Sequence, residues 1–400
     1  KDIPDGASEF SCVVVNGACS GEVIVGFKAG KGPADAQAIL DQFGGTVIDS
    51  IEGRSMALIR VTGDAGSFIS ALKSGGAVQW AEFNTVDQQP IGSPRSFYPR
   101  SFVTPASATQ DAINSSVALD AVKGEEAAAC FNGSGVKVAV IDTGVDESHP
   151  FISGRTALGF NAFTRGADYL DAGNGIDDDN DGQIDGAVGH GTHVAGIIRQ
   201  IAPGATIVPI KALDSEGTGQ AFYLAVALDY AINSGARVIN LSLGAAQPSQ
   251  AVTDLIDAAK QSGIVIAAAG GNSGNGQQSF PAATDESNLA GVAATDNGKK
   301  LASFSSRYEA LDLAAPGVDV ISSFPVGVDG IETGWATWSG SSMSTAWVSG
   351  AAADILSAHP DWTAKQVLHQ MTETADKLAG ATGGMERESR LNAQAAVCGK

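Results

Sequence analysis

The chain has 400 residues, 44 % of them hydrophobic and 50 of them glycine, and its 24 basic against 44 acidic residues leave a formal net charge of −20. That balance argues against nucleic acid or an anionic membrane as partner, because phosphate binding depends on basic contacts, and no apolar run is long enough to span a bilayer. The length suits one large domain and one small one in a compact, turn-rich protein.

Residues 1–20 form an N-terminal extension carrying Cys12 and Cys19; the chain begins at Lys1 with no signal peptide, as expected where a leader lies outside this sequence. In residues 21–90, GEVIVGFKAG reads as a strand, PADAQAILDQFGG as a helix, and TVIDSIEG and SMALIRVTG as two strands. AGSFISALKSGG is helical and AVQWAEFN is again a strand. This βαββαβ order is the ferredoxin-like pattern of a small α+β domain. Residues 91–111, rich in Pro, Ser and Thr and without apolar periodicity, read as an exposed linker. Arg95 and Arg100 offer cleavage points there, so processing in several steps and a single cut at the start of the spacer both stay open.

Three segments of residues 112–400 carry groups of complementary chemistry. VAVIDTGV begins as an apolar, β-branched run of the kind buried in parallel sheets, and places Asp142 at the strand's carboxyl end, where active sites of open α/β sheets gather. GHGTHVAG flanks His190 with glycines that let backbone approach the ring, and then reads as a helix of small residues. GSSMSTAWVSG sets Ser342 at the start of an apolar helix, with the positive end of the dipole beside it. A hydroxyl becomes a nucleophile near neutral pH when an imidazole takes its proton and a carboxylate orients that imidazole. Each residue alone reads as a turn former, a satisfied core histidine or a helix cap; it is the three together, in this order, that carry the signal.

Before His190 runs an acidic stretch in which Asp177, Asp179 and Asp181 alternate, with Gly182 for a sharp turn and Asp185 beyond it. Alternating carboxylates of this kind wrap hard cations, calcium above all, though Val188 stands where a complete EF-hand has Glu. Asp185 and Asp171 are further ligand candidates. Of the other histidines, His193 is expected in the core and His149, His359 and His369 at the surface. No zinc motif is present.

The order Asp142, His190, Ser342 with these surrounding motifs resembles the subtilisin-like serine proteases, the subtilase family, from about residue 114 to 397; ARVINLSLG, GIVIAAAGGNSG, LDLAAPG and RLNAQAAV add to the likeness. The resemblance implies a doubly wound α/β domain with a mainly parallel sheet, preceded by an inhibitory propeptide. It implies Asp142 as orienting acid, His190 as general base, Ser342 as nucleophile and Asn272 as oxyanion donor. Ser242, Leu243 and Gly244 on one side, and Gly217, Thr218 and Gly219 on the other, would hold an extended substrate strand. Residues 268–271, ending in Gly271, would border the pocket for the residue before the scissile bond.

Its further implications are a secreted, monomeric endopeptidase, extracellular or periplasmic, that acts on proteins or peptides. Its own propeptide would bind in cis, with residues 85–89 lying along the cleft, and would be removed by autoprocessing. A structural calcium ion would sit on the acidic loop. The alternative is a noncatalytic binding scaffold of the same family, which would need none of the four catalytic residues. Departures from the family pattern are Ala346 and Trp347 in place of Pro and His, Gly270 where Ala is usual, and the lack of an Asn-rich calcium loop after His190. Four cysteines allow three pairings; Cys12 with Cys19 and Cys130 with Cys398 are expected, in an oxidising compartment.

Overall fold

In the computed structural model, residues 12–88, 104–105, 116–178, 182–297, 299–379, 384–385 and 388–399 are described. Strands Ala18–Phe27 (β1), Thr46–Ile51 (β2), Met56–Arg60 (β3) and Val78–Gln88 (β4), with helices Gln37–Phe43 (α1) and Ala65–Ser74 (α2), realise the βαββαβ order. The strands pair antiparallel in the order β4-β1-β3-β2. Successive side chains of a strand point to opposite faces, and here both faces are buried. Val23, Val25 and Ile59 pack under α1 and α2 with Leu40, Phe68 and Leu72, while Ile24, Ile51, Met56 and Leu58 belong to the core of the large domain.

That domain is built on parallel strands Lys137–Asp142 (β5), Thr206–Lys211 (β6), Val238–Leu241 (β8), Val265–Ala269 (β9), Leu289–Thr295 (β10) and Leu311–Pro316 (β11). A short strand, Thr218–Gln220 (β7), stands apart from them. The sheet order is β11-β10-β9-β8-β5-β6, with short strands at either edge. Helices Ala221–Asn233 (α4) and Gln250–Gln261 (α5) cover one face, His190–Ile201 (α3) and Ser341–Ala358 (α6) the other. Strand periodicity explains the division. Val138 and Val140 of β5 face the α3–α6 core, whereas Ala139 and Ile141 face the α4–α5 core. The doubly wound, mainly parallel domain behind a small α+β domain is thus present, and α3 passes without interruption where an Asn-rich loop would divide it.

The departures from the family pattern acquire reasons. Trp347 is fully buried in the α3–α6 core beside Ala346, so its bulk fills the interior. At Gly270 an added Cβ would lie 2.6 Å from Leu311 Cδ2 and 2.9 Å from Val292 O, so glycine is required sterically; greater backbone freedom is not its main role. The linker is not wholly a free spacer, because Thr104–Pro105 pairs antiparallel with Ala336 and Thr337 of Trp335–Trp338 (β13), itself paired with Val320–Ser323 (β12). The rest of that linker lies outside the described residues. Both expected disulfides, Cys12–Cys19 and Cys130–Cys398, are formed. Among the described residues, no helix is long and apolar enough to cross a membrane.

Asp354, in α6, is buried, and among the described residues neither carboxylate oxygen has a hydrogen-bond partner. Burial pushes its carboxyl well above the usual range. A group whose folded pKa is raised contributes stability fully below the unfolded value and loses it as pH rises towards the folded one. Asp354→Asn should therefore gain on the wild type by about 1.4 kcal/mol per pH unit above the ordinary carboxyl value, until the folded value is reached. Denaturant melts at a series of pH values check this; a pH-independent difference would contradict it.

Candidate active site

Asp142 ends β5, and His190 opens α3 after Gly189, whose φ of 93° lies in the left-handed region. An added Cβ at Gly191 would lie 2.0 Å from Gly144 O, so only glycine lets the two segments approach this closely. His190 Nδ1 donates to Asp142 Oδ1 at 2.7 Å, and both side chains are wholly excluded from solvent. Thr143 N–H donates to the same oxygen at 2.8 Å. The Trp338 ring stands edge-on to His190 at 5.2 Å between centroids. Nε2 of His190 has no partner among the described residues.

Ser342 is the second residue of α6, which packs against α3. Its hydroxyl donates to Ser242 O at 3.2 Å, and the Ser242 hydroxyl donates in return to Ser342 O at 2.9 Å. Asn272 lies just beyond β9, where its Oδ1 accepts from Ser341 N–H at 2.9 Å. That bond fixes the sense of the amide and leaves Nδ2 as the donor beside the start of α6. Asp142 at the carboxyl end of its strand, and Ser242 and Asn272 just beyond those of the two neighbouring strands, lie where the topology of open α/β sheets gathers its sites.

The sequence reading missed the role of Asp171, which it grouped with the acidic loop as a calcium ligand. The structure turns this carboxylate towards the His190 helix: Thr143 Oγ1 and Gly189 N–H donate to Oδ1 at 3.0 and 2.9 Å, and Thr192 N–H and Oγ1 to Oδ2 at 3.0 and 2.6 Å. Burial raises its pKa, opposed by these donors and by Lys211. No local pattern marks it; its partners come from segments 28 and 21 residues away.

Of the histidines, His193 is buried as expected, and burial together with the nearby His190 lowers its pKa to about 3. His359 and His369 are exposed. His149 corrects the expectation of a surface position. It is 4 % exposed, with Nε2 on Gly334 O at 2.8 Å and its ring against Trp335, and burial lowers its pKa.

Residues 133–391 match the profile of the subtilase family. The chain belongs to that family. Residues 18–84 match the fervidolysin N-terminal prodomain. Over 264 residues the chain is 38 % identical to subtilisin E of Bacillus subtilis (strain 168), covering 63 % of each protein. It is 37 % identical over 276 residues to subtilisin Savinase of Lederbergia lenta, covering 67 % of this chain and 92 % of that one. Among solved structures, fervidolysin from Fervidobacterium pennivorans, a keratinolytic enzyme related to subtilisin, superposes with a TM-score of 0.74 at 21 % identity, over 99 % of this chain and 64 % of the other. A cold-adapted subtilisin-like serine proteinase gives 0.57 at 30 % identity, over 66 % and 90 %. The match thus spans under two thirds of subtilisin E and of fervidolysin.

The prodomain of this subtilase grips the large domain at backbone groups. Val86, Asp87 and Gln88 at the end of β4 pair antiparallel with Gln220, Gly219 and Thr218 of β7. Of the residues expected to hold a substrate strand, Thr218 and Gly219 pair with the end of the prodomain. Gly217 forms the preceding turn at φ 76°, with its N–H on Asp214 O. On the other side, Leu243 is buried, and Gly244 is so close to Ser279 that an added Cβ would lie 2.0 Å from its hydroxyl; Gly271 neighbours Ser279 too.

Two side chains of β4 cap two helices. Glu82 accepts from Ser249 Oγ, Gln250 N–H and Ala251 N–H at 2.7 to 3.0 Å, at the start of α5. Asn84 Oδ1 accepts from Phe222 N–H at the start of α4, while its Nδ2 donates to Gln220 and to Glu22. First-turn N–H groups have no intrahelical acceptor, so these caps supply what each helix lacks. Trp80–Asp254 and Arg54–Asp229 bonds add side-chain contacts across the interface.

In the acidic loop, Asp179 and Asp181 lie outside the described residues. Asp177 Oδ2 accepts from Gly182 N–H, and the two oxygens of Asp185 accept from Asn174 and Gly175 N–H. Carboxylate oxygens are the ligand type that calcium takes, but those of Asp177 and Asp185 bond to backbone N–H groups of their own loop here. Among the described residues no three acidic, His or Cys side chains converge as a metal cage.

Replacing Glu82 and Asn84 with Ala should loosen the docked prodomain. In a full-length chain carrying Ser342→Ala, hydrogen exchange of the first-turn amides of α4 and α5 should quicken roughly tenfold, the scale of one lost cap. Unchanged exchange would contradict the capping role.

Proposed function

We propose that this chain is a serine endopeptidase made as a self-inhibited precursor, with an extension at 1–20, an inhibitory propeptide at 21–90, a linker at 91–111 and the protease domain at 112–400. The observation that carries this reading is the buried 2.7 Å contact of His190 with Asp142, with Ser342 at the start of the neighbouring helix beside Asn272. Asp142 holds the Nδ1–H tautomer, so Nε2 keeps the lone pair that takes the proton of Ser342. In this structure the Ser342 hydroxyl donates to Ser242 O, and to give its proton to His190 it must first turn away from that carbonyl. Attack on the scissile carbonyl puts negative charge on its oxygen, towards which Asn272 Nδ2 and the Ser342 N–H in the first turn of α6 donate. His190 returns the proton to the leaving amine, and water then hydrolyses the acyl-enzyme.

The substrate is an extended protein or peptide segment, held as an added strand on Thr218 and Gly219 on one side and on Ser242, Leu243 and Gly244 on the other. The described end of the prodomain, residues 86–88, already occupies the first of these edges as a product strand would. A domain docked through its sheet and its tail acts at high effective concentration, so inhibition in cis persists until the connection is cut. The chain cuts that connection itself. Disulfides at Cys12–Cys19 and Cys130–Cys398 support a secreted enzyme. Calcium would be held by Asp177 and Asp185 with Asp179 and Asp181, where it would brace the loop leading to His190.

A serine-directed phosphonate should label Ser342 once the prodomain is removed, and Ser342→Ala should abolish labelling and lower kcat by about 10⁵ to 10⁶-fold. Asn272→Ala should cost about 10² to 10³ in kcat. A processed wild type that neither labels nor cleaves peptides would overturn the protease reading. Chelation should lower the unfolding temperature of the processed enzyme, with recovery on adding back calcium; a melt indifferent to chelator removes the calcium assignment.

A further inference from the structure

We propose that Asp171 is a positioning residue that holds Asp142 and His190 in catalytic register, by fastening together the two segments that carry them. The inference rests on the reading of these two residues and Ser342 as a protease triad.

The fastening is a crossed clasp. The Thr143 hydroxyl, beside Asp142, accepts from Gly191 N–H in the His190 segment at 3.0 Å and donates to Asp171 Oδ1 at 3.0 Å. The Thr192 hydroxyl, in the His190 segment, accepts from Asp146 N–H in the Asp142 segment at 2.9 Å and donates to Asp171 Oδ2 at 2.6 Å. Each hydroxyl takes an N–H from the opposite segment, which directs its own proton onto the same carboxylate. Gly189 N–H and Thr192 N–H complete the set, one on each oxygen, on either side of His190 in sequence.

The chemistry calls for a carboxylate. An amide presents one accepting oxygen and one NH2 group. Whichever way an Asn side chain turned at this position, its NH2 would face a backbone N–H, that of Gly189 or that of Thr192, and one donor pair would be left without an acceptor. Lys211 Nζ lies on the same cluster, donating to Thr143 O at 2.9 Å, and supplies a buried positive charge beside the buried negative one. Asp171 is 3 % exposed and its oxygens are taken by Thr143, Gly189 and Thr192, so it acts through those residues.

The test compares processed wild type, Asp171→Asn and Thr143→Val, the last nearly isosteric and removing a single relay. Concentrations are set by phosphonate titration of Ser342, so that a loss of folded enzyme does not register as a loss of rate. Asp171→Asn should lower kcat per titrated site on the order of a hundredfold, the scale of about 1 Å of misplacement, with KM within about twofold of wild type. Thr143→Val, which removes both the bond from Gly191 N–H and the bond to Asp171, should lower kcat about tenfold or more. The downfield proton resonance of the His190–Asp142 bond should shift or broaden in both. If Asp171→Asn does not fold, Thr143→Val decides alone. Unchanged kcat per titrated site and an unchanged resonance in Thr143→Val, with an active wild type, would overturn the inference and leave the protease reading standing. A wild type that neither titrates nor hydrolyses peptide would overturn both.

Discussion

A carboxylate and an imidazole that face each other at 2.7 Å with no solvent on either impose a demand on everything around them. Away from water their geometry is not averaged by competing hydrogen bonds, and a small displacement of either segment is felt in full. The neighbouring residues answer that demand. Glycine at 191 permits the approach, the left-handed turn at Gly189 aims the helix, Trp338 walls one side of the ring, and Asp171 with two threonine hydroxyls ties the strand end to the helix start. The parallel sheet beneath supplies the fixed frame from which the strand ends project.

The prodomain docks on the other face of the large sheet, the one covered by α4 and α5. Its sheet shares apolar side chains with the α4–α5 core, and its last strand delivers Glu82 and Asn84 to two helix starts before pairing with β7. Helix starts and strand edges share one property: their backbone groups lack internal partners. A domain that satisfies three such sites with one strand gains orientation as well as affinity, because caps and ladder tolerate little rotation.

How much was legible beforehand depends on the range of the interaction involved. Asp142, His190, Ser342 and Asn272 sit in short motifs whose local conformation is their signature, and the βαββαβ order follows from periodicities of two and 3.6. Trp347 could be foreseen as bulk needing a place but not assigned one, since its pocket is assembled from strands and helices far apart in sequence. His149 was misplaced for the same reason, because it is β13 and Gly334 that cover it. Asp171 was read with its acidic neighbours, whereas its partners lie on two other segments; a polar side chain buried by distant partners leaves no periodic trace. The close packing against Gly270 likewise depends on Leu311.

The Cys130–Cys398 bridge joins residues 268 positions apart and encloses Asp142, His190, Asn272 and Ser342 within one covalent ring. Cutting a ring once opens it without dividing it. A nick in any exposed loop between these cysteines therefore leaves both fragments tethered in one molecule, with the sheet still holding the cut ends near their native positions. Wherever proteolysis reaches such a loop, this topology turns a first cut from a loss of the molecule into a local break in the chain.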